Sequence, residues 1–426
     1  MTARRAMQSD DSSRGPNQAR PIPTVPSLRC AAAASLAGLL LSACATSTPP
    51  ADTAPDGAAG TSASSVADLP PAERLDATML IGPTAARTLG YRIDWEADGV
   101  TVPGTALEWF RPSGDSVFTL DARNGIVRLR NDDGTRVWRS PVGGPIDRLY
   151  GGQRVTGDGE DRLYVLAEGD FFVVDVGNGV LIDRQPLDRV ANTAPVRLGR
   201  YMIYGTRAGQ IVWHQFAVGH PWRLNQTEGA IKATPLIVND DVLVVSTSGS
   251  IMMMDGRTAE RLWSKRLLAG IAAGPAAGEG PDGRGLVFVA GEDQYLWALD
   301  RGTGTTVWKT FFESPLLSSP VLIGDRLFVQ VPSEGLVCFE AFPADSVDGV
   351  RLWTSPATGD VIGQRGDRIL VWDDASQTLT TLDAKRGGVV DRVSLPHVNR
   401  IKTSAPVDGD LYASSKDGRV TRLVKP

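Results

Sequence analysis

From about residue 89 to the C-terminus, apolar residues fall in short runs instead of at helical spacing. VLVVS (242–246), LVFVA (286–290), RLFVQ (326–330) and RILVW (368–372) are examples. Such runs, bounded by Gly, Asp and Pro, predict strands, and no 3.6-residue periodicity competes with them. Two signals recur around the runs. A small residue and Pro open the outgoing segment at Ala194-Pro195, Thr234-Pro235, Gly274-Pro275, Ser319-Pro320 and Ala405-Pro406. A strand ending in Asp, a short turn ending in Gly and a strand reaching Trp then close it. The fullest copy runs from Ala298 to Trp308 through Asp300, Thr303 and Gly304, and Asp255 to Trp263 keeps the same eight-residue gap.

Further copies end at Trp138, Asp183, Trp222, Trp353 and Asp391, so the seven end points are 38 to 45 residues apart. Repeats of about 40–45 residues with four strands apiece predict a β-propeller, in which each twisted sheet packs between two neighbours. Residues 401–424 hold two strands, LYASS and GRVTRLV, without a terminal Trp strand. Its missing partner stands at YRIDW, where Trp95 precedes Trp138 by 43 residues. Joining the N-terminal strand to the C-terminal sheet hides both free edges. The expected fold class is therefore all-β: eight four-stranded antiparallel blades, closed by pairing the chain ends.

The repeat chemistry is mechanical. Asp accepts N–H groups of the turn and Gly permits its positive φ. Trp wedges between blades and needs one acceptor for its indole N–H. Six of the ten tryptophans (Trp95, Trp138, Trp222, Trp263, Trp308 and Trp353) are assigned to this position.

The N-terminus differs in kind. Arginines at 4, 5, 14, 20 and 29 precede an apolar run over 31–41. That run is about half of the roughly 20 residues a membrane-spanning helix needs, so it reads as a signal-peptide core. It ends in Leu41-Ser42-Ala43-Cys44, which resembles a bacterial lipobox and implies lipidation of Cys44. By resemblance to Gram-negative lipoproteins, Ala45 favours outer-membrane sorting. Residues 45–74 are rich in Ala, Pro, Ser and Thr and hold too little apolar surface to offset their ordering entropy. The expected division is a signal peptide (1–43), the lipidated Cys44 with a flexible tether (44–86), and the propeller (87–426).

The sequence Ala298-Leu-Asp300-Arg-Gly-Thr303-Gly304-Thr-Thr-Val-Trp308 resembles the tryptophan-docking motif of the pyrroloquinoline quinone (PQQ)-type eight-bladed propellers. Two branches share that motif. The quinoprotein dehydrogenases carry an adjacent-cysteine disulfide over the quinone and a metal site in long loops; this chain has no Cys-Cys pair and only Cys338 in its propeller. The BamB-type lipoproteins, scaffolds for inserting β-barrels into the outer membrane, fit the lipobox, the tether and the closing segment TSAPVDGDLYASSKDGRVTRLV. The resemblance implies no catalysis and no cofactor, PQQ included. It also implies envelope-protein partners, among them the β-barrel assembly machinery, and a monomer held within a complex on the periplasmic side of the outer membrane. The loop Asn225 to Lys232 departs from the segment that family turns toward its barrel partner, so no contact residue is carried over. A quinone-dependent oxidoreductase and a propeller binding small ligands or glycans are the alternatives.

Charge narrows the partners further. The net charge is −5, and the first 43 residues contribute five Arg against two Asp, which leaves the body acidic. Nucleic acid is not an expected partner, because phosphate binding needs clustered cations. Other candidate chemistry is thin. Gly278 to Gly283 satisfies GxGxxG but leads into a strand, where a phosphate loop opens a helix. His214 and His220 lack ligands at metal spacing, so no metal site is expected, and His397 sits in a Pro-His-Val-Asn loop. Met252 to Met254 alternate within a strand, and Cys338 reads as a small buried apolar residue.

Overall fold

The computed structural model describes residues 69–157, 159–344 and 346–426. The signal peptide, Cys44 and most of the tether lie outside the described residues. Eight four-stranded antiparallel sheets follow one another. Blades 1 to 7 start on the inner strands Leu107–Ser113, Leu149–Gly157, Val196–Leu198, Leu236–Val238, Ala276–Glu279, Val321–Ile323 and Asp360–Arg365. Their outer strands are Arg136–Pro141, Leu181–Pro186, His220–Gln226, Arg261–Arg266, Thr306–Phe311, Val350–Ser355 and Val389–Ser394. Blade 8 is built from both chain ends. Val398–Thr403, Leu411–Ser415 and Arg419–Val424 are joined by Arg92–Asp98 as the outermost strand.

The closing pair runs from Arg92 opposite Val424 to Asp98 opposite Arg419, with one bulge between Ile93 and Trp95. Two ion pairs cross it, Arg419 with Glu96 at 3.1 Å and Arg422 with Asp94 at 3.1 Å. The expected eight blades and their closure are therefore what the chain forms. One signal sits elsewhere than expected: Ala405-Pro406 falls after the first strand of blade 8, and the following Val407 bridges in parallel to Gln364 of blade 7.

The tether boundary also moves. Residues 69–86 were assigned to the tether, but two short helices, Pro71–Thr78 and Pro83–Thr88, occupy most of that stretch. Leu80, Ile81, Ala86, Leu89 and Tyr91 bury themselves against Leu370 and Leu379 of blade 7 and Val398 and Leu411 of blade 8. The apolar residues MLI and L-x-Y, scattered among Ala and Thr, supply enough burial to order the segment.

The core is divided among the joints, and every cluster of buried apolar residues is shared by two neighbouring blades. Blades 5 and 6, for instance, share Phe288, Leu296, Trp308, Leu327, Val337 and Phe339. Alternation along the strands makes this possible, because odd and even residues feed opposite joints. Met253 enters the blade 4–5 core while Met252 and Met254 enter the blade 3–4 core. Cys338 is fully buried in the blade 6–7 core, and burial pushes its thiol up to about 12.

At five joints an indole crosses to the next blade and donates to the carbonyl after the third strand. Trp138 Nε1 reaches Val176 O at 2.7 Å, Trp263 reaches Arg301 O at 2.7 Å and Trp95 reaches Asn131 O at 3.0 Å. Trp353 reaches Ala384 O at 3.1 Å and Trp308 reaches Ala341 O at 3.4 Å. The turn glycine of the receiving blade lies flat against the ring. A Cβ added at Gly134 would stand 2.7 Å from Trp95, and one at Gly179 would stand 2.6 Å from Trp138. The turn itself is set by its Asp: Asp300 Oδ1 accepts the N–H of Gly302 at 3.1 Å and of Thr303 at 2.8 Å, and the Thr303 hydroxyl at 2.8 Å.

Trp222 does not take this position, and the assignment is corrected. It is 38% exposed and stacks on Tyr201 with ring centroids 4.9 Å apart. The pairing explains why. Trp213 faces Arg223 and His214 faces Pro221, so Trp222 is the bulged residue turned outward. Arg223 stands in its place and donates to Thr258 O at 2.9 Å, while Trp213 from the neighbouring strand supplies the indole, donating to Gly256 O at 3.1 Å. The receiving turn carries Ala259 at φ +56° where the others carry Gly, because no ring lies against it.

Removing a wedge should therefore cost what a buried indole is worth. Trp308→Ala is expected to lower stability by about 3–5 kcal/mol and Trp222→Ala by about 1 kcal/mol or less. Equilibrium denaturation of the two variants checks this; equal losses would contradict the assignment.

Candidate protein-binding rim

In an up-and-down blade, successive turns alternate between the two ends of the sheet. One rim of the wheel therefore carries the first and third turns of each blade, the Asp–Gly turns among them, while the second turns lie at the other end. The opposite rim carries the blade-to-blade connections 142–148, 187–195, 227–235, 267–275 and 312–320. These connections are latched by the backbone. Val142 N–H donates to Asn124 O at 2.8 Å, Leu187 to Gly169 O at 2.8 Å, Leu267 to Gly249 O at 2.9 Å and Phe312 to Gln294 O at 2.8 Å. A second latch follows four residues on, with Ala191 to Glu168 O at 2.9 Å, Ile231 to Thr206 O at 3.1 Å and Leu316 to Gly291 O at 3.2 Å.

The latches bury one apolar residue and turn its neighbour out. Leu267 is buried while Leu268 is 97% exposed; Leu316 is buried while Leu317 is exposed. Ile146 is 94% exposed and Val190 is also exposed on this rim. Four large apolar side chains thus stand in water on loops whose backbones are fixed. With the backbone already held, little loop ordering is needed on binding, and the side chains gain by being covered. Sequence reasoning named none of these residues. The doublets Leu267-Leu268 and Leu316-Leu317 were the available sign, since only one member of each can face the core.

The rim is flanked by mixed charge. Glu168 pairs with Arg207 at 3.4 Å and Glu334 with Arg351 at 2.5 Å. Arg266 pairs with Glu228, which lies in the Asn225–Lys232 segment; there Ile231 turns inward and Glu228 is exposed. His397 is exposed on this rim, between blades 7 and 8. Gly278 to Gly283 form a strand end and the turn entering Gly285–Ala290, with no helix behind them. Among the described residues no group of three or more His, Cys, Asp or Glu side chains is placed to hold a metal ion. His214 is fully buried on blade 3, and burial holds it down at about 4, so the imidazole is neutral at pH 7. Its Nε2 lies 3.1 Å from Gln185 Oε1.

The family model described as outer membrane protein assembly factor BamB, built on the PQQ-like repeat, matches residues 197–280 and 269–425. The chain belongs to that family. Curated relatives of the same name agree with it. The protein from Alkalilimnicola ehrlichii is 29% identical over 171 residues, 39% of this chain and 38% of that one. The protein from Burkholderia pseudomallei is 29% identical over 134 residues, 30% of each chain. The chain thus aligns with about a third of the length of these relatives. Among solved structures, BamB from Moraxella catarrhalis superposes with a TM-score of 0.58 at 19% identity, over 76% of this chain and 97% of that one. The computationally designed Ika8 protein gives 0.60 at 13% identity, over 78% and 99%. At such identities the two structures speak to the fold, which is the BamB-type propeller. No described helix is long and apolar enough to cross a membrane.

Proposed function

We propose that this protein is a non-catalytic scaffold lipoprotein that holds envelope proteins during outer-membrane β-barrel assembly. The observation that carries the reading is the rim of latched connections with Ile146, Val190, Leu268 and Leu317 directed into solvent. Family membership supplies the assembly context. The Leu-Ser-Ala-Cys sequence at 41–44 supports attachment through Cys44, with the protein on the periplasmic face of the outer membrane. Residues 45–68 would then hold the propeller off the bilayer, at an average reach of about 25–30 Å if they behave as a flexible chain. The reading requires no cofactor or metal.

Two experiments test it. Capture from native membranes after mild crosslinking is expected to recover a component of the barrel-assembly machinery. A Leu268→Glu/Leu317→Glu double variant should reduce that recovery about tenfold or more with little change in thermal stability, since both side chains are exposed. Recovery of no envelope protein, or full recovery with the double variant, would contradict the rim as the binding surface. Cys44→Ser should release the protein from the membrane fraction, because without acyl chains the attachment is lost. Retention of that variant in membranes would count against the lipid anchor.

A further inference from the structure

Seven of the eight joint cores contain a buried tryptophan: Trp95, Trp138, Trp213, Trp263, Trp308, Trp353 or, between blades 7 and 8, Trp372. The blade 2–3 core has none among its described residues. Blade 2 carries Asp183 at the wedge position, opposite Val173. Blade 7 has lost its wedge in the same way, at Asp391 opposite Thr381. That joint, however, is covered by Leu80, Ile81, Leu89 and Tyr91 of the N-terminal segment. Only the blade 2–3 joint lacks both a wedge and a cover.

An open crevice of about 560 Å³ lies at this joint on the turn rim, the end opposite the latched connections, and the wedge-position residue Asp183 is part of its lining. This is within the roughly 300–1,000 Å³ of ligand pockets. Tyr164, Phe216 and Ile182 give it apolar walls. The carbonyl that an indole would reach, Phe216 O, is already met by Gln185 Nε2 at 2.9 Å, so no backbone acceptor is left unpaired there. The lining mixes Glu160 and Asp183 with Arg162, Arg197 and Arg200, and two of these arginines are without a carboxylate partner. Arg197 lies 5.7 Å over the Phe216 ring and Arg200 lies 5.4 Å over the Tyr201 ring, and among the described residues neither meets a carboxylate within 4.0 Å. Arg162 is already paired, with Glu160 at 3.3 Å and Asp175 at 3.4 Å. Asp183 accepts the Arg184 N–H at 2.8 Å on one oxygen and Gln185 Nε2 at 3.0 Å on the other and forms no ion pair among the described residues, so each oxygen keeps a lone pair for a further donor such as an indole N–H.

Three consecutive apolar residues, Val180, Leu181 and Ile182, are exposed where the outer strand of blade 2 begins, and that strand, like the outer strand of each blade, has no further partner in its sheet. An apolar open edge invites an added strand, which would present alternate side chains to the crevice.

We propose that this crevice is a peptide-binding site, distinct from the connection rim, that receives an aromatic side chain from an extended acidic segment of a partner protein. The incoming ring takes the place of the missing wedge. Its flanking carboxylates meet Arg197 and Arg200, and its backbone adds to the edge at Leu181–Pro186. The proposal rests on the reading of the protein as a scaffold, but its test does not involve the connection rim.

Fluorescence anisotropy with labelled acetyl-Asp-Trp-Asp-amide and the purified full chain is the direct measurement. We expect a dissociation constant of about 1 mM or tighter, as suits a ligand of this size in a partly open site. Acetyl-Lys-Trp-Lys-amide and acetyl-Asp-Ala-Asp-amide should bind at least about tenfold more weakly, one interaction's worth of discrimination. Asp183→Trp, which closes the joint from within, should abolish binding, and Arg197→Glu/Arg200→Glu should weaken it about tenfold without relying on the first variant folding well. The Leu268→Glu/Leu317→Glu variant should bind the peptide normally, which separates failure here from failure of the rim. Equal affinity for the acidic and basic peptides, unchanged binding by Asp183→Trp or the arginine variant, or no binding near 1 mM would overturn the proposal. Free indole-3-acetate binding as tightly as the peptide would also overturn it, by assigning the crevice to a small ligand.

Discussion

The structure depends on one contact made again and again: an indole lying across the gap between two blades, its N–H on a carbonyl and its face on a glycine. A single four-stranded sheet exposes two apolar faces and cannot stand alone in water. What stabilises each blade is its neighbour, so the fold is the sum of its joints. The indole is suited to that place because it is large, flat and mostly apolar, with one donor to satisfy. The ring then needs only to be closed. Arg92–Asp98 does so by completing the sheet of the C-terminal strands, which pairs the free side of Arg419–Val424 and makes the two chain ends depend on each other.

Much of this was legible in the chain. The repeat length, the Asp–Gly turns and the small-Pro signals fixed blade number and closure, because each is a local requirement of a turn or a joint. Trp222 shows where pattern reading went astray. The gap from Asp255 to Trp263 and from Asp300 to Trp308 is eight residues, and the same count from Gln215 lands on Arg223, one residue beyond Trp222. Ala259, standing where Gly304 and Gly387 stand in other turns, was a second sign that no ring lies there. The helices over 71–88 were missed because Ala, Thr and Pro dominate the segment. Its few apolar residues matter only through blades 7 and 8, which are far away in sequence.

The site was less legible than the fold, for a physical reason. Core positions are read from periodicity, whereas an outward side chain such as Leu268 is recognised only once its neighbour Leu267 is known to be latched inward. The crevice at Asp183 is a further case. A lost tryptophan in the sequence could mean a repacked joint, as at blade 3, a covered one, as at blade 7, or an open one, as at blade 2. The three outcomes depend on Trp213, on the 80–91 segment and on Gln185. With apolar loops at one end of the wheel and an unfilled joint at the other, the two rims offer surfaces of different chemistry on one rigid body, an arrangement suited to a scaffold.

If the joints hold the wheel together, they should not all be equally strong. Native-state hydrogen exchange, read strand by strand by mass spectrometry, measures this directly. The central strands flanking the blade 2–3 joint, Asp170–Asp175 and Tyr201–Gly205, should open first. Their exchange should be on the order of tenfold faster than that of Tyr295–Asp300 and Arg326–Val331, which flank the Trp308 joint. Uniform protection around the ring, or earlier opening at the Trp308 joint, would contradict the claim that buried indoles carry the cohesion of the blades.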